Sequence, residues 1–187
     1  MTIDDLKQLM APPEEVVYPG SKPDWDAFQN KVGMHFPAEY YALVHTYGSG
    51  RFLAGEFKIA NPFDPDDQKF AEVELTRLKE ARARDAKEVP FPLFPESGGL
   101  YPFGIDDNGN TFLWLTFGST HEWPIVCFNS EDYSEVVNHT LTEFMVLLAT
   151  NRLKIKRKKF WGNNVSTDQL EFVPRKLSSR RKRPNRK

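Results

Sequence analysis

The stretch GLYPFGIDDNGNTFLWLT, from Gly99 to Thr116, places an apolar run on each side of a short segment rich in carboxylates and amides. An EF-hand calcium loop needs oxygen ligands at alternate positions, glycine at the sixth and glutamate at the twelfth. Counting from Asp106, neither the sixth nor the twelfth residue is of the required type. The Asn108-Gly109 dipeptide instead predicts a β-hairpin closed by a type I′ turn. A ligand role for Asp106 or Asp107 stays open at this stage.

Strand patterns surround this hairpin on both sides along the chain. NTFLWLTF is typical of a strand with Phe112 and Trp114 on one face, and WPIVCFN predicts the next strand. GRFLAGEFKIANPF, further upstream, predicts one or two short strands. Three or four consecutive antiparallel strands would make one sheet with at least one buried face.

Helical signals lie before and after these strands. SKPDWDAFQNKVG predicts a helix that ends at Gly33, and HFPAEYYALVHTYGSG predicts another that ends at a left-handed Gly48. TLTEFMVLLAT predicts a third, with Thr140 and Glu143 as a capping box.

A fourth helix is predicted from Asp64, as its cap, to Glu88. Phe70, Val73, Leu75 and Leu78 are its expected apolar residues. The second half, LKEARARDAKE, has almost no apolar face, so we expect a protruding, solvated end.

Charge divides the chain into two unlike parts. Residues 1–151 carry 11 Lys and Arg against 24 Asp and Glu, a net charge of −13, whereas residues 152–187 carry 14 against 2, a net charge of +12. The acidic body is expected to attract basic partners, and the basic tail to attract polyanions or the body itself. LEFVP can pair as a short strand, but LSSRRKRPNRK is too charged to pack and is expected to be disordered.

Several features favour the cytoplasm as the compartment. Cys127 is the single cysteine, so no intrachain disulfide can form, and its apolar neighbours predict a buried thiol. The first fifteen residues do not resemble a signal peptide, and no apolar run reaches the roughly 20 residues of a membrane helix.

Motifs for catalysis or metal binding are not apparent. The four histidines, at positions 35, 45, 121 and 139, are scattered, and Gly48-Ser49-Gly50 lacks the spacing of a nucleophile elbow. Adjacent carboxylates such as Asp66-Asp67 point in different directions on regular structure. We therefore expect no catalytic residues, no metal and no cofactor.

Aromatic, proline and glycine residues recur in an order that resembles the Smi/Knr-like proteins of the SUKH superfamily, which includes bacterial immunity proteins and fungal cell-wall regulators. The resemblance covers roughly residues 16–150 and rests on their order rather than on one signature. The matching positions are Trp25, Phe28, Phe36, Pro37, Tyr40, Tyr47, Gly48, Gly50, Phe52, Leu100 to Gly104, Asp106, Gly109, Leu113 to Leu115, Trp123 to Val126 and the helix from Thr140 to Leu148, with FVP at 172–174 as a closing segment.

This resemblance implies one α+β domain in which helices flank one mainly antiparallel sheet, with no catalytic residues and a function in protein binding. We assign residues 1–175 to this domain and residues 176–187 to a basic, disordered tail.

Two functions follow from the sequence. In the first, the acidic body of an immunity protein binds a basic toxin domain such as a nuclease, through exposed carboxylates beside aromatic anchors. The candidate contact residues are Asp64, Asp66, Tyr101, Asp106, Asp107, Glu122 and Trp123. In the second, the protein is a regulatory scaffold, or a nucleic-acid-associated regulator in which KIKRKKFW and RRKRPNRK contact phosphates and Phe160 or Trp161 stacks on a base.

Overall fold

The computed structural model describes residues 1–129, 131, 133–156, 160 and 170–177. Within these ranges the chain forms five α-helices, seven β-strands and two 3₁₀ turns. The helices are α1 (Ile3–Leu9), α2 (Lys22–Val32), α3 (Ala38–Tyr47), α4 (Phe70–Arg84) and α5 (Leu141–Ala149). The strands are β1 (Gly50–Arg51), β2 (Phe57–Ile59), β3 (Leu100–Asp106), β4 (Thr111–Leu115), β5 (Ile125–Phe128), β6 (Ser134–Val137) and β7 (Val173–Pro174), and the turns are Leu53–Gly55 and Thr120–Glu122.

The β3–β4 hairpin lies at the centre of a five-stranded antiparallel sheet with the strand order β2-β3-β4-β5-β6. This sheet and its flanking helices confirm the predicted α+β class. Pro102 is tolerated in the central strand β3 because a register shift follows it and because β2 pairs only with residues 104–106.

The turn of this hairpin is not the predicted type I′. Gly109 has a φ of 77°, whereas Asn108 is not among the described residues with positive φ. The Gly109 N–H donates to the Asp106 carbonyl at 3.2 Å, and the Asp106 N–H donates to the Asn110 carbonyl at 3.1 Å. This is a three-residue loop with glycine in the left-handed position. The predicted turn type is wrong because the Asp106 carboxylate, rather than a second positive φ, organises the loop.

Both faces of the sheet are covered. On one face, the aromatic rings of α2 and α3 and the apolar face of α5 pack against Phe112, Trp114 and Cys127. On the other face, α4 and the segment that follows it bury Leu113, Val126 and Phe128. Few large side chains of the sheet are therefore left for a partner.

The helix predicted from Asp64 begins later and packs more fully than expected. It starts at Phe70, because residues 61–67 form successive turns in which the carboxylates of Asp64 and Asp67 accept hydrogen bonds. Its second half does not protrude, since Leu78 and Ala81 are buried and Arg82 pairs with Glu96. Val73, predicted as apolar and inward, is 58% exposed.

Helix α1 was not predicted from the sequence. Thr2 and Asp5 form a capping box at its start, and Leu6 is fully buried. A helix of seven residues shows fewer than two full turns of apolar periodicity, so its pattern is weak.

The C-terminal segment 170–177 closes the fold. Strand β7 pairs antiparallel with β1, which confirms the short strand predicted in LEFVP. Phe172 packs between Tyr47 and Phe52, with ring centroids 5.1 and 4.8 Å away. The predicted disorder of LSSRRKRPNRK falls on residues that lie outside the described ranges, apart from Leu177, and the domain boundary at 175 stays a prediction.

Candidate protein-binding surfaces

The seven predicted contact residues divide by exposure. Four are buried: Asp64, Tyr101, Asp106 and Trp123 have relative exposures of 1%, 7%, 5% and 6%. Three are exposed: Asp66, Asp107 and Glu122. The exposed carboxylates are available to a partner, whereas the buried residues support the positions of their neighbours.

These residues also divide by position along the sheet. Tyr101 pairs with Trp114 near one end of β3, and Trp123 lies close to that end, just before β5. Asp106 is the last residue of β3, and Asp107 follows it in the turn at the opposite end. The structure therefore does not bring the seven residues together on one surface.

Asp106 is a structural residue of the hairpin turn. Its carboxylate accepts hydrogen bonds from the backbone N–H groups of Asn108 and Asn110, both at 2.9 Å, and from the Asn110 side-chain amide at 2.6 Å. The acidic run at 106–110 therefore resembles a ligand loop in composition only. Its first carboxylate, that of Asp106, is bound by the loop itself.

Asp64 is held by the C-terminal segment. Its carboxylate pairs with the Arg175 guanidinium, which also reaches Asp66 at 2.7 Å. Burial by itself raises the pKa of the Asp64 carboxyl, but hydrogen bonds from the Asp66 backbone, Arg175 and Ser49 hold this pKa below its ordinary value. Asp64 is therefore ionised and satisfied internally.

Acidic groups gather at the turn end of the sheet, which we name the hairpin-end surface and define by Glu56, Asp66 and Asp107. The Arg51 guanidinium pairs with Asp107, and Arg51 lines a cavity of about 250 Å³ together with Asp66 and Arg175. The Asp107 backbone N–H donates to the Glu56 carbonyl at 3.0 Å.

Glu56 was missed by the sequence analysis. Burial raises the pKa of its carboxyl, and repulsion from Asp107 and Asp106 raises it further. Its side chain makes no ion pair with any residue of the described ranges. No local signal identifies Glu56, since it is brought to the turn by the pairing of β2 with β3.

A second, smaller acidic position lies at the other end of the sheet. Glu122 is exposed, and its side chain lies near Gly118. A Cβ atom added to Gly118 would be 4.0 Å from Oε2 of Glu122. The neighbouring Phe117 is 75% exposed, whereas Trp123 is buried and donates its indole N–H to the Gly118 carbonyl at 3.4 Å. Phe117, not Trp123, is therefore the exposed aromatic ring at this end of the sheet.

Phe160 does not fit the predicted role in base stacking. Its side chain is 3% exposed, its ring lies 5.8 Å from that of Tyr133, and its carbonyl accepts a hydrogen bond from the Asn110 side chain at 2.6 Å. It anchors the chain to the hairpin instead. Trp161 and most of RRKRPNRK lie outside the described ranges.

The described part of the chain has neither a cluster of metal ligands nor a membrane-spanning helix. Within these ranges, no group of three or more His, Cys, Asp or Glu side chains is arranged to hold a metal ion. Cys127 is fully buried, as predicted, and burial raises the pKa of its thiol. None of the described helices has the length and apolar character needed to cross a bilayer.

A comparison with known families identifies the family of this chain. The SUKH_6 family model, described as SMI1-KNR4 cell-wall, matches residues 22–145, which is more than half of the chain. The chain belongs to the SMI1-KNR4 family of the SUKH superfamily. The match to this SUKH protein runs from the start of α2 into α5, and so includes the whole five-stranded sheet. No curated protein and no solved structure gives a significant match.

Proposed function

We propose that this SUKH protein is a non-catalytic binding protein that neutralises a basic toxin domain, such as a nuclease, by direct contact in the cytoplasm. The observation that carries the proposal is the grouping of two exposed carboxylates, Asp66 and Asp107, with Glu56, which makes no ion pair within the described ranges. Burial raises the pKa of Glu56, and repulsion from Asp107 and Asp106 raises it further. A cationic side chain from a partner would relieve this repulsion and stabilise the ionised form of Glu56.

The charges around this surface support a basic partner. Asp66 and Asp107 have exposed side chains, and each shares its nearest cation with another group of the protein: Arg175 also binds Asp64, and Arg51 also donates to the Gly55 carbonyl. Exposed ion pairs of this kind contribute little to stability, so they can rearrange around incoming lysine or arginine side chains. Long-range attraction to the acidic body accelerates the encounter.

The proposed interaction can be tested if a gene next to the gene for this protein encodes a toxin. We expect co-expression of this SUKH protein to restore growth to cells that produce the toxin domain, and the two proteins to elute as one complex in size-exclusion chromatography. Absence of both the complex and the rescue would refute the proposal.

A charge variant locates the contact. The triple substitution Glu56→Gln, Asp66→Asn and Asp107→Asn is expected to weaken toxin binding roughly 10- to 100-fold, mostly through a slower association rate that becomes less dependent on salt. The matched control is Glu14→Gln, Glu15→Gln and Glu80→Gln, which removes three exposed carboxylates elsewhere. Equal loss of affinity in both triples would assign the effect to net charge rather than to the hairpin-end surface.

A further inference from the structure

The guanidinium of Arg175 lies against two carboxylates and an aromatic ring of the body. It pairs with the buried carboxylate of Asp64 and reaches the exposed carboxylate of Asp66 at 2.7 Å. Its central carbon lies 5.7 Å from the centroid of the Tyr18 ring, within the range of a cation–π contact. Carboxylates and the face of a ring are the groups that recognise arginine in proteins. We name Tyr18, Asp64 and Asp66 the arginine pocket.

The arginine pocket takes its cation from outside the body. The carboxylate of Asp64 accepts hydrogen bonds from the Ser49 hydroxyl and from the Asp66 backbone N–H, and both of these donors are neutral. Arg175 is the only cation that pairs with Asp64 among the described residues. A buried carboxylate that loses its cation is strongly destabilised. The pocket therefore favours a guanidinium whichever chain supplies it.

Backbone strain is concentrated where the C-terminal segment docks. Four of the described residues other than glycine have a positive φ, and three of them, Tyr18, Leu53 and Ala54, have φ values of 56°, 55° and 54°. Tyr18 belongs to the arginine pocket, and the Ala54 N–H donates to the Glu171 carbonyl of the segment at 3.1 Å. Left-handed backbone is unfavourable for residues with a side chain, and it is typical of ligand clamps and switch regions. The body thus holds a strained conformation around the place that the segment occupies.

The C-terminal segment is attached at few points. Strand β7 has only two residues, Val173 and Pro174, and both are exposed. Phe172 is the single buried residue between positions 170 and 177. Residues of both the segment and the body, including Arg175 and Asp66, line the cavity of about 250 Å³. An approaching side chain can therefore reach the arginine pocket while the segment is still in place.

We propose that the basic partner inserts an arginine into the arginine pocket in place of Arg175, so that the C-terminal segment is an internal competitor of the partner. Asp66 belongs both to this pocket and to the hairpin-end surface, which makes the two sites continuous. Asp64 stays paired during the exchange, because one guanidinium replaces another. The planar guanidinium matches two carboxylates and a ring, whereas a lysine ammonium does not. This inference rests on the proposed function, since it specifies the side chain by which the basic partner is recognised.

A tripeptide tests the arginine pocket without a toxin. We expect acetyl-Gly-Arg-Gly-amide, titrated into the isotope-labelled full chain with Arg175→Gln, to shift the backbone resonances of Tyr18 and Asp66. The matched probe acetyl-Gly-Lys-Gly-amide should bind at least threefold more weakly. The unchanged protein, which does not depend on the folding of a variant, should show the same shifts only at tripeptide concentrations at least tenfold higher, because Arg175 must leave first. No shifts in either protein, equal binding of the two probes, or equal binding to the two proteins would overturn the proposal.

The complex with a toxin domain separates this inference from the proposed function. Arg175→Gln vacates the arginine pocket, and we expect it to strengthen toxin binding at least threefold. The matched control Lys176→Gln removes the adjacent exposed cation and should change the affinity less than twofold, which accounts for the effect of net charge. A complex with equal or lower affinity in Arg175→Gln would refute the internal competition and leave the proposed function standing. Absence of any complex would refute the proposed function, and the tripeptide titration would then decide by itself whether the pocket accepts an external arginine.

Discussion

Arg175 pairs through its guanidinium with the carboxylate of Asp64, a residue 111 positions earlier in the chain. Asp64 is 1% exposed, and the Arg175 side chain is 28% exposed. The Arg175 backbone N–H also donates to the Ser49 carbonyl at 2.9 Å, directly after the pairing of β7 with β1. Side chain and backbone of one residue thus fasten the C-terminal segment to the body.

Replacing Arg175 tests how much this contact stabilises the fold. Arg175→Ala leaves the buried Asp64 carboxylate without its cation, and we expect the free energy of unfolding to fall by about 2 to 3 kcal/mol, less than for a fully buried pair because Arg175 is partly exposed. Urea denaturation measures this change. The adjacent exposed Lys176→Ala should change it by less than about 0.5 kcal/mol; equal effects of the two substitutions would contradict a specific role for the pair.

The same pair predicts the direction of a pH dependence. Because the pKa of Asp64 is lowered in the folded protein, the unfolded chain binds a proton at this carboxyl more readily. The stabilisation is fully present above the ordinary pKa of aspartate, about 4, and is lost as the pH falls through the lower folded pKa. Urea midpoints measured between about pH 7 and pH 3 should fall less steeply in Arg175→Ala than in the unchanged protein. Parallel pH profiles would contradict this linkage.

Asp106 and Asp107 are neighbours with opposite roles, and substitution should separate them. Asp106→Ala leaves the buried backbone N–H of Asn110 without its acceptor and removes one of the two acceptors of the Asn110 side-chain amide, and we expect a loss of about 2 to 3 kcal/mol in unfolding free energy. Asp107→Ala removes only an ion pair whose carboxylate is 66% exposed, and we expect a loss of less than about 1 kcal/mol. Thermal or urea unfolding of both variants makes the comparison, and similar losses would show that the turn does not depend on Asp106.

Local patterns were enough to predict the elements whose signals are local. Ser21 caps α2 and Gly33 ends it with a φ of 77°, and Thr140 and Glu143 form the predicted capping box. The helix does not start at Asp64 as predicted, because the carboxylates of Asp64 and Asp67 are held in a turn. Asp64 pairs with Arg175, which is 111 residues away, and Asp67 pairs with Lys58 on β2. A capping residue in the sequence indicates where a helix can start, but tertiary contacts determine whether it starts there.

The candidate surfaces depend on the same long-range contacts. Tyr101 and Trp123 read as aromatic anchors in the sequence, but both are buried because α2, α3 and the 3₁₀ turn before β5 cover that face of the sheet. Glu56 acquires its electrostatic role only through the pairing of β2 with β3. The net charge of the sequence therefore predicted an acidic exterior, but it did not show which carboxylates lie together on the surface.

Two glycines with positive φ provide a matched test of close packing. Gly48 has φ 65° and ψ −145°, which differs from the predicted left-handed position, and an added Cβ would lie 2.2 Å from the Val17 carbonyl oxygen. Gly33 has φ 77°, and nothing lies within 4 Å of its added Cβ. We expect Gly33→Ala to cost about 1 kcal/mol from backbone strain alone, and Gly48→Ala to cost at least 3 kcal/mol, roughly, because the backbone around Val17 must also shift. Urea denaturation distinguishes the two, and equal costs would show that the contact with Val17 relaxes freely.

The thiol of Cys127 should report on opening of the whole sheet. Burial raises its pKa first, and the nearby carboxylates of Glu135 and Asp106 raise it further, so little reactive thiolate forms near neutral pH. The residue is fully buried in the centre of β5, between β4 and β6. We expect a thiol reagent to label the folded protein only as fast as the sheet opens, and to label the urea-unfolded chain at the rate of a free cysteine. Arg175→Ala should accelerate labelling if the C-terminal segment opens together with the sheet. Rapid labelling of the unchanged folded protein would contradict the burial of this strand.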